Sequence, residues 1–107
     1  MHQTLIVARM SPRDKDAVAE IWHESDATEL PHRVGVDRRV VFSFHDLYFH
    51  LVVSRQGITE NLYKARPSAL YQDINRKLAQ FIRPYDPGWK EPKDSMAEPF
   101  YVWDAQR

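Results

Sequence analysis

Val40-Val41-Phe42-Ser43-Phe44-His45-Asp46-Leu47-Tyr48-Phe49-His50-Leu51-Val52-Val53 decides the fold. Two runs of strand-forming residues flank the polar pair His45-Asp46, the pattern of a β-hairpin with a two-residue turn. Pairing arithmetic then sets the register. Phe44 stands opposite Leu47, Phe42 opposite Phe49 and Val40 opposite Leu51, all on one apolar face. The other face carries Ser43 opposite Tyr48, Val41 opposite His50, and Arg39 opposite Val52. Arg39 and His50 thereby become diagonal neighbours, within reach of long side chains. A slip of one residue would mix the two sets and is rejected for that reason. The apolar face is expected to pack on helices, leaving the mixed face of Arg39, Ser43, Tyr48 and His50 open. That open face is either solvated, as in many half-covered sheets, or covered by a second copy, so that two sheets enclose a cavity.

Working outward toward the N-terminus, Thr4-Leu5-Ile6-Val7-Ala8-Arg9-Met10 reads as a strand. Ser11-Pro12-Arg13-Asp14 follows as a helix start, with Ser at the N-cap and Pro at the first helical position. Ala17, Val18, Ile21 and Trp22 form the apolar stripe of that helix, which ends near Asp26, before a loop around Pro31 and Gly35. On the C-terminal side, a short helical turn is expected at about residues 58–65. A longer helix then runs from Pro67 with Leu70, Ile74, Leu78, Phe81 and Ile82 on one face. Pro84, Pro87, Gly88 and Pro92 make residues 84–96 a loop, and Phe100-Tyr101-Val102-Trp103 reads as the last strand. The order β-α-β-β-α-β is that of an α+β, ferredoxin-like sandwich.

The chain has 107 residues, enough for one domain spanning 1–107 and one core. A domain of this size buries roughly two-thirds of the surface its unfolded chain exposes. That leaves no room for a large cavity inside the same core. Fifteen Lys and Arg balance fifteen Asp and Glu, which gives no electrostatic footprint for nucleic acid or an anionic membrane. There is no cysteine, so disulfides, thiolate nucleophiles and zinc–thiolate sites are excluded. No apolar run approaches a membrane span, and the first residues lack the pattern of a signal peptide, so a cytoplasmic protein is the expectation. The histidines at 2, 23, 32, 45 and 50 follow no metal-binding spacing, and the glycines form no phosphate loop. No metal site is expected from that spacing.

Several pieces, in order, carry a resemblance. They are Asp26-Ala27-Thr28-Glu29-Leu30-Pro31, Gly35-Val36, Arg39, Phe42 through Leu51, Leu62-Tyr63-Lys64-Ala65-Arg66, Pro84-Tyr85, Trp89, Asp94-Ser95 and Phe100-Tyr101-Val102-Trp103. Over residues 4–104 the chain resembles the tetracenomycin F2 cyclase family of aromatic polyketide cyclases. The resemblance implies a homodimer of ferredoxin-like chains, a dimeric α+β barrel, with a pocket on the outer sheet face. It also implies cyclisation of a partly aromatised poly-β-ketone in antibiotic or pigment biosynthesis, without a cofactor, and polyketide synthase components as further partners. One position departs from the family pattern: a His often precedes the Asp at position 26, whereas this chain has Ser25. His23 does not replace it, because it projects from another helix face.

Closing a ring on a polyketone requires loss of a proton between two carbonyls, attack of that carbon on another carbonyl, and loss of water. Negative charge gathers on oxygen throughout. Arg39 suits such an oxygen as a cationic, two-pronged donor. His50, with an unperturbed pKa near ~6.5, suits proton movement at neutral pH. Asp26 serves as a base or as a group that orients a neighbour. Leu30, Val41, Ser43 and Tyr48 are expected to contact the substrate. Each has a plainer role too: a surface ion pair for Arg39, a half-buried strand histidine for His50, a turn residue for Asp26. Shape alone can also supply much of the rate, by proximity and orientation. Two other functions remain open: a cofactor-free monooxygenase making quinones on the same fold, and a non-catalytic accessory protein of a polyketide synthase.

Overall fold

Four strands make one antiparallel sheet in the computed structural model, which describes residues 1–105. They are β1 (His2–Met10), β2 (Arg38–Phe44), β3 (Leu47–Ser54) and β4 (Ile82–Pro84), in the spatial order β2-β3-β1-β4. The hairpin of β2 and β3 has the register read from its sequence: Phe44 faces Leu47, Phe42 faces Phe49, Val41 faces His50 and Arg39 faces Val52. His45, at the first turn position, takes a left-handed conformation with φ 52°. The turn is also tied to β1, because Met10 N donates to Asp46 O and Arg9 pairs with the Asp46 carboxylate.

Four helices accompany the sheet: α1 (Lys15–Asp26), α2 (Leu30–Val34), α3 (Thr59–Ala65) and α4 (Ala69–Leu78). Pro12–Asp14 form a 3-10 turn that leads into α1; Ser11 is extended there, and its side chain makes no capping bond. The segment around Pro31, expected as loop, winds into α2 instead. Gly35 ends it at φ 89°, where Gly35 N and Val36 N both donate to Pro31 O. A left-handed residue is the ordinary stop for a helix, and glycine takes it without a Cβ clash. Ser68 caps α4 by accepting from Tyr71 N.

Which face the helices cover is the main departure from expectation. Along β3 the buried residues are Tyr48, His50, Val52 and Ser54, while Leu47, Phe49, Leu51 and Val53 are only partly buried. The mixed face, not the apolar one, therefore packs against the helices. The core comprises Ala8, Met10, Tyr48 and Val52 from the sheet with Val18, Leu30, Val34, Ile58, Ala65 and Ile74 from the helical side. Pairing arithmetic fixes which residues share a face, but not which face is covered. Here β1 contributes Ile6, Ala8 and Met10 to the mixed face, and α1 brings polar partners to it. The other face, with Phe42 and Phe44 about half exposed, stays apolar and open.

The C-terminal third also differs. The long helix stops at Leu78 rather than continuing through Phe81 and Ile82. Ile82–Pro84 becomes the fourth strand, with Met10 opposite Ile82 and Ala8 opposite Pro84. Proline is tolerated there because β4 is an edge strand and Pro84 is its last residue. Phe100-Tyr101-Val102-Trp103, expected as the closing strand, forms no strand pairing among the described residues and is exposed throughout. Before it, the chain returns to the β1 edge, where Met96 bridges Ile6 and Ala97 N donates to Leu5 O.

Two adjacent residues test the face assignment. Val52→Ala removes buried methyl groups and should lower the unfolding free energy by about 2 kcal/mol, whereas Val53→Ala should cost well under about 1 kcal/mol. Denaturant titration of the two variants under one buffer reads the difference.

Candidate active site

The last turn of α1 and the two hairpin strands converge on one guanidinium. Arg39, near the start of β2, meets Asp26, at the C-terminal end of α1. Its Nε donates to both carboxylate oxygens at 3.2 and 3.1 Å, and Nη2 to Oδ1 at 2.8 Å. Across the hairpin, Nη1 donates to His50 Nε2 at 2.8 Å. Arginine has donors only, so Nε2 must be the accepting, unprotonated nitrogen and the ring proton sits on Nδ1. The diagonal proximity of Arg39 and His50 read from the register is realised, and the helix end adds Asp26.

A fourth residue completes the cluster. Trp22 lies one turn before Asp26 on α1, and the Arg39 guanidinium stacks over its ring, 4.0 Å from the centroid. The His50 ring is 4.7 Å from the Trp22 ring at a tilt of 50°. Trp22 Nε1 donates to Tyr48 OH at 3.0 Å. Sequence reading placed Trp22 in the apolar stripe of the helix. The signal that it also belongs to the site is its spacing from Asp26, which at i, i+4 shares one helix face.

Burial sets the charge state of the cluster. The Arg39 side chain is only 12 % exposed, against 39 % for Asp26. His50 is driven from 6.5 down to about 3, first by burial and then by the neighbouring Arg39 charge. That shift favours the neutral imidazole at physiological pH. Burial likewise pushes the Tyr48 hydroxyl up to about 12, so it stays protonated. Among the described residues, no buried side-chain nitrogen or oxygen lacks a hydrogen-bond partner.

Arg39 and His50 form the polar part of the wall of a partly open cavity of about 70 Å³ between sheet and helices. The rest is largely apolar: Ile6, Trp22 and Leu30, with Val34, Val36, Val52 and other residues of the helical layer. This cavity lies on the inner face of the sheet, because the mixed face that carries Arg39 and His50 is the one the helices cover. Of the residues expected to contact substrate, Leu30 lines this cavity. Val41 and Ser43 share the face of Arg39 but sit exposed on the edge strand, and neither lines the cavity. Tyr48 is buried behind it, held by Trp22. Val34, Val36, Ile58, Leu62 and Tyr71 also line it; sequence reading did not single them out for a site. Among the described residues, no group of three or more His, Asp or Glu side chains is placed to hold a metal ion.

Chemically, the arrangement is a fixed cation in an apolar wall. Of the five N–H groups of a guanidinium, three are engaged by Asp26 and His50. The remaining two make no hydrogen bond among the described residues, and a guanidinium N–H is a strong donor to an oxygen that carries negative charge.

Comparison with known proteins gives a consistent picture. A family described as polyketide synthesis cyclase matches residues 2–104. Tetracenomycin F2 cyclase of Streptomyces glaucescens is 48 % identical over 104 residues, covering 97 % of this chain and 95 % of that protein. The polyketide synthase CurG of Streptomyces cyaneus is 38 % identical over 105 residues, covering 97 % of this chain and 98 % of that one. The solved structure of the S. glaucescens cyclase, described as a type-II polyketide cyclase, superposes with a TM-score of 0.93 at 47 % identity, covering 99 % of this chain and 100 % of that one.

The histidine makes the fold acid-sensitive. Its folded pKa lies below its unfolded value, so the unfolded chain binds more protons between about pH 6.5 and 3. The neutral ring's contribution is fully present above that window and is lost as pH falls through it. Between pH 7 and pH 4 the wild type should lose about 3 kcal/mol more stability than His50→Gln, whose side-chain oxygen can still accept from Arg39. Urea titrations of both proteins at the two pH values measure this.

Proposed function

The chain belongs to the polyketide synthesis cyclase family, and from that premise we propose that it closes a ring on a partly cyclised aromatic poly-β-ketone by intramolecular aldol condensation and dehydration. The observation that carries the reading is the Arg39 guanidinium, fixed by Asp26 and His50 in the wall of an apolar cavity with two donors to spare. A proton between two carbonyls passes to the Asp26 carboxylate or to water, the resulting carbon attacks another carbonyl carbon, the alkoxide takes a proton back, and loss of water completes the ring. Both the enolate and the alkoxide place charge on oxygen, where Arg39 holds it in surroundings of low dielectric.

Asp26 and His50 support that role. Asp26 locks the guanidinium from one side, and His50 accepts from the other as a neutral ring. Its Nδ1–H is a donor, since burial and the Arg39 charge disfavour a second proton on the ring. The walls fold the substrate so that one of several competing closures is close at hand. In this reading the enzyme is a lyase of the hydro-lyase type, specific for one regioisomer, serving antibiotic or pigment biosynthesis beside a polyketide synthase.

The outer sheet face supports a homodimer. Leu5, Val7, Phe42, Phe44, Phe49 and Leu51 form a continuous apolar surface without a cover in the single chain. Beyond Ala97, the exposed Phe100-Tyr101-Val102-Trp103 offers strand-forming residues with no partner of their own. A second copy placing its sheet against this face would bury both, forming the two-sheet barrel expected of the family. Catalysis then lies within each chain, on the helix side, and assembly on the opposite side.

A time course of ring closure of a partly cyclised aromatic polyketone, with oxygen uptake logged in the same cell, tests the reaction. Faster formation of one regioisomer without oxygen consumption is expected. Oxygen uptake would mean a monooxygenase, and binding without acceleration an accessory protein. Arg39→Gln should lower the rate about 100-fold, and a folded His50→Ala by less than that; a loss above about 1,000-fold would give His50 a larger role than orientation. Sedimentation should find twice the chain mass for the wild type and a single chain mass for Phe49→Asp.

A further inference from the structure

A second hollow, of about 220 Å³, lies between α1 and α4. Ile21 and Ser25 line it from α1, and Leu70, Asp73 and Lys77 from α4. Lys77 Nζ reaches Asp73 at 3.0 Å and Glu24 at 3.7 Å, so an exposed ion pair spans the two helices. One residue, Ile74, lines both this groove and the cavity at Arg39. It is itself buried, at 6 % exposure. Helical spacing explains the double role: Leu70, Asp73 and Lys77 lie toward the groove, Tyr71 toward the cavity, and Ile74 between them.

Size makes the division significant. A cavity that binds a single benzene has a volume of about 150 Å³, and sites for larger organic ligands run from about 300 Å³ upward. The cavity at Arg39, at about 70 Å³, is too small for even one ring as it stands. The cavity is open on one side, so a ring can sit partly at its mouth; joining it to the groove behind Ile74, the larger hollow beside it, gives the rest of a polyketone a place inside the fold. A β-branched side chain in a helix keeps one χ1 well, so opening requires χ2 rotation or a small shift of α4. The exposed Lys77–Glu24 pair resists such a shift weakly.

We propose that Ile74 is the gate of the substrate site: moving aside, it joins the cavity at Arg39 to the α1–α4 groove, which holds the part of a fused-ring polyketone that is not reacting. The proposal rests on the cyclase reading for the identity of the substrate, but the gate itself is a matter of volume. Apolar Ile21 and Leu70 suit the ring faces, and the Ser25 hydroxyl and the polar groups at the rim suit ring oxygens. Ile74 and the small Ser25 then determine the size of ligand admitted.

Equilibrium binding of a two-ring naphthol and a four-ring hydroxyquinone, read by Trp22 fluorescence in a Trp89→Phe/Trp103→Phe background, tests this. Ser25→Trp fills the groove from a partly exposed helix position. It should weaken the four-ring ligand at least tenfold and the two-ring ligand less. Ile74→Ala should tighten the four-ring ligand several-fold, and Ile74→Val, the safer variant for folding, should act in the same direction by less. An unchanged Kd for the four-ring ligand in Ser25→Trp overturns the gate, as does a wild-type protein that binds neither ligand. Wild-type protein that binds as expected but does not speed ring closure would overturn the cyclase reading and leave the gate standing. Ring closure at an unchanged KM in Ser25→Trp would overturn the gate alone.

Discussion

The structure depends on one guanidinium being held on three sides. Arg39 links a helix end through Asp26, the neighbouring strand through His50, and the helix face through the Trp22 ring. Arginine keeps its charge even when buried, so each partner is an obligation: a guanidinium that loses its carboxylate inside a protein is a costly uncompensated charge. The cluster therefore ties the C-terminal half of α1 to the hairpin. It also selects the face of the sheet that turns inward, because only that face carries Arg39, Tyr48 and His50, and only α1 carries their partners.

This selection explains what the sequence did and did not disclose. The register of β2 and β3 was legible down to each pair, because period-two alternation and a two-residue turn leave a single solution. The covered face was not. The general rule sends the more apolar face inward, and Phe42, Phe44, Phe49 and Leu51 obey no such rule here. The information lay in a long-range match between Trp22, Asp26 and the hairpin, which no local pattern displays. The convergence of Arg39 with His50 followed from strand geometry. The addition of Asp26 was implied only by the family resemblance, and Trp22 was read as core because it is also core.

The C-terminal third shows a different failure. Leu78, Phe81 and Ile82 continue a helical stripe in periodicity, yet α4 ends at Leu78 and Ile82 pairs with Met10. Short apolar runs satisfy helix and strand templates alike, and the vacant β1 edge decides between them. Phe100–Trp103 looks like a strand by composition and finds no partner within the chain. A strand-like segment and an uncovered apolar sheet face in the same molecule have one thing in common: both leave apolar surface exposed in the single chain.

Burial then has two opposite effects inside the cavity, and together they fit the chemistry of an enolate. Desolvation removes the proton affinity of His50, pushing it to about 3. The same low dielectric strengthens the pull of Arg39 on any oxygen that acquires charge beside it. Here the site keeps the field and gives up the titration. That trade suits a substrate whose reacting proton, flanked by two carbonyls, is already acidic: what the protein must supply is a place for the charge and a shape for the chain.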